Sequence, residues 1–213
     1  MRRLLEYGGI AASIVLIAFG IGAIVSGFNG RDRVHNDLKR EQIVGTPDMT
    51  PQAIAASAKE AGLPASIDLP TKAVAGQTID TGGEARTFAS YMRIHALEAT
   101  GGQTYAQMPR YATDDGAGTN DPAQATKDEN GQPVANGARN IWVTETALAT
   151  ALNVSYMAEQ LSLFSVIIGF ALVLAGLGFG ILAIGGALRN PETAFGFLHK
   201  SGEKSNPQAV PNV

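Results

Sequence analysis

Two long stretches without a charged side chain decide most of what this chain can fold into. Residues 7–28 (YGGIAASIVLIAFGIGAIVSGF) and 161–188 (LSLFSVIIGFALVLAGLGFGILAIGGAL) contain no Asp, Glu, Lys or Arg. A helix needs roughly 20 residues to cross the hydrocarbon core of a bilayer, so each run is long enough. In water, such a helix would have to be buried on all sides, and helices of globular cores rarely run this far without one charge. The first run follows Arg2 and Arg3 and so has the order of a secretory signal. Its apolar stretch exceeds the roughly 7–15 residues of a signal core, which favours a retained spanning helix over a cleaved leader.

Two crossings leave both ends on one side. The tails 1–6 and 189–213 each carry a net charge of +1, whereas 29–160 holds 11 basic and 16 acidic side chains, a net −5. Basic short tails favour the cytoplasm, and a long segment is translocated largely regardless of its charge. The expected arrangement has both termini cytoplasmic and 29–160 extracytoplasmic, at the cell membrane. Arg31, Arg33, Lys39 and Arg40, crowded beyond the first run, pull the other way. The absence of cysteine excludes disulfides, thiolate metal sites and cysteine nucleophiles.

Both apolar runs extend past the bilayer in helix-compatible sequence. Val34 and Leu38 are one turn apart and nothing breaks the chain before Gly45 and Pro47, so the first helix is expected to reach Val44, about 24 Å beyond Phe28 at 1.5 Å per residue. The alanine-rich stretch from Ile141 leads without Pro or Gly into the second run, giving one helix through Leu188. These extensions would pair as a stalk. Between them, Thr50-Pro51 and Gly62 bracket a short helix, and a second helix is expected from Glu84 to Thr100, closed by Gly101-Gly102. Residues 72–75 could form a strand with no identifiable partner, and 112–139, rich in Asp, Asn, Gly and Pro, reads as an extended loop. Large apolar side chains are too sparse here for a self-sufficient core, so the insertion must lean on the stalk or on a neighbouring copy. After Leu188, Phe195, Phe197 and Leu198 form a short patch suited to a membrane interface, followed by a polar tail.

The expected fold is therefore an all-α membrane protein. It is a two-span antiparallel helical hairpin (7–28 and 161–188) with helical stalk extensions and a mainly helical, loop-rich extracytoplasmic insertion within 29–160. Lipid already satisfies apolar side chains, so spanning helices associate through close packing at small residues. Four pairs have the required spacing: Gly22 with Ser26, Ala23 with Gly27, Ser165 with Gly169, and Gly176 with Gly180. Neither run holds an acidic, basic or histidine side chain, which argues against a proton relay. Tyr7 and Tyr156 fall near the expected bilayer boundaries, and Trp142 is placed to anchor the insertion to the stalk.

Three stretches, REQIVGTPDMTP (40–51), HALEATGGQTYAQM (95–108) and ARNIWVTETALATALNVSYMAEQLSLFS (138–165), together resemble a family of uncharacterised bacterial two-pass membrane proteins, chiefly actinobacterial. Some members carry an automatic label of aromatic ring-opening dioxygenase. The resemblance implies a topology; the label implies iron held by two histidines and a carboxylate. Within 29–160 the only histidines are His35 and His95, so the triad would be these two with Glu98, which lies one helical turn from His95. The simpler reading has His95 favoured by the dipole near a helix end and Glu98 as a surface residue, with no metal and no cofactor. The acidic loop offers oxygens for calcium but lacks the EF-hand order of ligands. No nucleophile elbow, phosphate loop or metalloprotease motif is present. The expected function is that of a non-enzymatic accessory or scaffolding subunit. Its partners would be the bilayer and either further copies or another membrane protein, with no nucleic acid. The alternatives are the dioxygenase and an oligomeric pore, for which neither run supplies a polar stripe.

Overall fold

The structure, a computed structural model, describes residues 2–185. The end of the second apolar run, the 189–213 tail and the expected interfacial segment at Phe195 lie outside the described residues. Four helices are present: α1 (Arg2–Arg40), α2 (Pro51–Glu60), α3 (Gly82–Ala99) and α4 (Arg139–Ile184), and no strand occurs among the described residues. Helices α1 and α4 are long and apolar enough to cross a membrane, with mean hydropathies of 2.3 and 2.6 in their most apolar windows. Only 17% of each window is buried, whereas the core helix of a water-soluble domain would be mostly covered.

The chain divides into two compact units, one of Met1–Phe28 with Phe164–Val213 and one of Asn29–Leu163. In the first, α1 buries Gly9, Ser13, Gly20 and Gly27, and α4 buries Val166, Gly169, Gly176 and Ala183. These positions repeat at three, four or seven residues, the spacing that keeps one helix face against another. The large side chains point the other way: Phe19 and Ile181 are each 71% exposed.

The second unit has a core of its own. Ile54 of α2 and Ala85, Ala89, Tyr91, Ile94 and Leu97 of α3 pack with Leu38 of α1 and with Trp142 and Leu152 of α4. The insertion is thus completed by the helical extensions, as its sparse apolar content requires. Its helices are specified by their ends. Thr50 caps α2, its side-chain oxygen accepting from the Ala53 N–H, with Pro51 in the first turn. Thr81 and Glu84 form a reciprocal capping box at α3, which begins two residues earlier than expected. Its far end is closed by Gly101 and Gly102 at φ +59° and +78°.

Helix α1 stops at Arg40, short of the expected Val44. Gln42 adopts a left-handed φ of 52°, and the chain beyond it is captured by another segment. The Ile79 N–H donates to the Ile43 carbonyl, the Gly45 N–H to Gln77, and the Val74 N–H to Met49. This pairing supplies the missing partner of residues 72–75, as isolated bridges at Val44–Thr78 and Gly45–Ala75 rather than as a strand. Gly45 is needed at the crossing, since a Cβ there would run into the Val74 carbonyl.

The 112–139 segment is not simply extended. Tyr111 exchanges backbone hydrogen bonds with Thr119, Ala112 pairs with Val134 and Thr126, and Asp128 with Gln132. No single hydrophobic pattern marks these contacts, because they are made by the backbone, partly between residues more than ten positions apart.

Candidate functional site

Two groups of residues are candidates for function: the small residues of the apolar helices and the histidine cluster of the second unit. A methyl group on Gly169 would lie 2.6 Å from the Gly20 carbonyl oxygen and equally close to the Ile24 side chain, and one on Gly20 would lie 2.7 Å from the Gly169 carbonyl. A Cβ on Gly176 would stand 2.9 Å from the Ser13 carbonyl, and one on Gly180 would stand 2.8 Å from the Ser13 hydroxyl. Partner numbers fall along α1 as they rise along α4, so the helices run in opposite directions. Each approach is closer than a side chain tolerates, which makes glycine a steric requirement at Gly20, Gly169 and Gly176.

The remaining spacing candidates divide. Gly27 is buried, Ala23 and Ser165 are half-buried, Ser26 is exposed, and a Cβ on Gly22 would meet nothing within 4 Å. Gly20 has no small residue four positions away, and Ser13 has one only in Gly9. Their signal is the seven-residue step Ser13, Gly20, Gly27, matched on α4 by Ser162, Gly169, Gly176 and Ala183. That step selects one face of a helix, whereas a single four-residue pair does not.

The histidines have separate partners. His35 Nδ1 lies 2.9 Å from the Asp80 carbonyl oxygen. His95 sits between two carboxylates, with Nδ1 3.1 Å from Glu98 Oε2 and Nε2 3.2 Å from Asp48 Oδ2. Glu98 also accepts from the Ser57 hydroxyl at 2.7 Å, which links α3 to α2. The Asp48 carboxyl is held below its ordinary range, chiefly by hydrogen bonding from the Thr46 side chain, with its own N–H and His95 adding to this against slight desolvation. Among the described residues, no three His, Asp or Glu side chains form a group able to hold a metal ion. The cluster ties the 46–50 turn, α2 and α3 together, and both imidazole nitrogens are spent on doing so.

In the 112–139 segment three of the carboxylates serve their own turns. Asp115 accepts from Thr113 and the Ala117 N–H, Asp121 from the Ala123 N–H, and Asp128 from the Asn130 and Gln132 N–H groups. These are the local Asx contacts by which such residues shape loops.

Trp142 is 3% exposed, and its indole N–H donates to the Gln103 carbonyl at 2.9 Å and to the Thr100 hydroxyl at 3.2 Å. It joins α4 to the turn after α3. Beside the core, a cavity of about 580 Å³ is lined by apolar groups including Leu38, Phe88, Met92 and Leu152. No family model, curated protein or solved structure matches the chain.

Proposed function

We propose that this protein is a non-enzymatic integral membrane protein, a two-pass helical hairpin that acts as an accessory or scaffolding subunit. In this reading both termini are cytoplasmic and 29–160 forms an extracytoplasmic domain, the topology implied by the resemblance to two-pass bacterial membrane proteins. The observation that carries it is the division of α1 and α4 into a small face and a large one. Gly20, Gly169 and Gly176 meet backbone at contact distance, while Phe19, Leu174 and Ile181 are exposed. In water, a contiguous apolar surface of this size would drive aggregation; in lipid it is solvated, and close packing of the small faces is what holds the pair together.

The second unit supports a binding rather than a catalytic role. His35, His95 and Glu98 are engaged in bonds that join elements, and its core is built partly from the helices that carry it. A domain braced in this way presents a fixed surface to partners. Extraction of the full chain from native membranes in a mild detergent, followed by identification of what co-purifies, tests the role. A reproducible membrane-protein partner or homo-oligomer is expected, and recovery of a lone monomer would contradict scaffolding.

A further inference from the structure

Arg110 and Arg139 line one cavity of about 510 Å³ together with Asn120, Ala106 and Met108. No carboxylate lines it. Neither guanidinium has an ion-pair partner among the described residues, and the buried Nε of Arg139 has no hydrogen-bond partner at all. Buried polar atoms are nearly always satisfied, so an orphaned N–H of a permanent cation calls for an acceptor.

The backbones of both arginines and the side chain of Arg139 are held in place before any ligand arrives. The Arg139 guanidinium stacks 3.9 Å from the centre of the Tyr105 ring, which occupies its flat face and leaves its in-plane N–H donors to point elsewhere. The Asn136 N–H donates to the Arg110 carbonyl at 2.9 Å, and the Asn136 carbonyl accepts from the Arg139 N–H at 3.1 Å, so one residue ties the two backbones together. On its other side, the Arg110 N–H donates to Asn120 Oδ1 at 3.1 Å. That bond fixes the Asn120 amide and leaves its NH2 as a further donor. The first turn of α4, which begins at Arg139, adds the positive end of a 46-residue helix.

We infer that this cavity binds a small soluble oxyanion carrying two negative charges, of the phosphate monoester class, gripped by Arg110 and Arg139 with the Asn120 amide as a third donor. Planar guanidinium forks match the oxygen spacing of phosphate, and two of them favour a dianion over a monoanion. The volume lies within the range of small-molecule sites and leaves room for an organic group beyond the phosphate.

The test uses the full chain in phosphatidylcholine nanodiscs, titrated with phenyl phosphate, inorganic phosphate and succinate against chloride at matched ionic strength, read by calorimetry and thermal melting. Saturable binding and a rise in melting temperature with phosphate but not with chloride are expected. Arg110→Gln, at an exposed side chain, should weaken binding at least ten-fold without lowering the melting temperature of the unliganded protein. Asn120→Asp keeps the acceptor for the Arg110 N–H while adding a negative charge, and should weaken it similarly. Chloride matching phosphate, binding of succinate in preference to phenyl phosphate, or unchanged phosphate affinity in both variants would each overturn the assignment.

Discussion

The Gly20 carbonyl oxygen lies 2.6 Å from the point where a Cβ on Gly169 would stand. An alanine at position 169 would already have to push the two helices apart, and a β-branched residue would do so more. Gly169→Val should therefore destabilise the protein in nanodiscs by about 1–3 kcal/mol, the usual cost of forcing extra methyl groups into a packed contact. Gly22→Val, at a position open to its surroundings, should stay within about 0.5 kcal/mol of the parent. Thermal melting of the two variants, measured side by side, checks the difference.

Trp142 is the only tryptophan, so its fluorescence reports on a single site. With 3% exposure, it should emit at short wavelength and resist quenching by acrylamide until the second unit unfolds. Trp142→Phe keeps most of the apolar contact but removes the donor to Gln103 and Thr100. The Gln103 carbonyl still accepts from the Thr100 hydroxyl at 2.7 Å, so the expected cost is that of a lost hydrogen bond, about 0.5–1.5 kcal/mol. A lower urea midpoint in circular dichroism would show it.

Tyr91 is fully buried, and its hydroxyl donates to the Lys72 carbonyl at 2.9 Å. Burial pushes its pKa above the ordinary value of 10.0. Because the folded value exceeds the unfolded one, the stabilisation is complete below pH 10.0 and is lost as the pH rises through the folded value. Tyr91 should be among the last tyrosines to ionise in an ultraviolet titration. Tyr91→Phe should cost about 1 kcal/mol at neutral pH and make the alkaline decline in stability less steep.

Where a helix announces itself by local chemistry, the sequence was a good guide. The uncharged runs, the Thr50-Pro51 start of α2 and the Gly101-Gly102 close of α3 all depend on residues near in sequence. The Thr81–Glu84 capping box is equally legible from its three-residue spacing, and it places the start of α3 at Gly82. The early end of α1 was not legible. It depends on residues 74–79 capturing the backbone of 43–49, and no side-chain pattern encodes hydrogen bonds between such distant segments. The helix-packing face was half legible: a four-residue rule finds Gly169 and Gly176, but it also selects Gly22, which the seven-residue step leaves out. The arginine cavity could not be read at all, because Arg110 and Arg139 are 29 positions apart and only the folded loop brings them together.

The most direct measurement concerns the two apolar helices. Membranes from cells expressing the full chain can be washed with alkaline carbonate and then extracted with detergent, and the protein followed in each fraction. It should remain with the membranes through the carbonate wash and be released only by detergent. Recovery of the intact chain in the aqueous supernatant without detergent would contradict its placement in the bilayer.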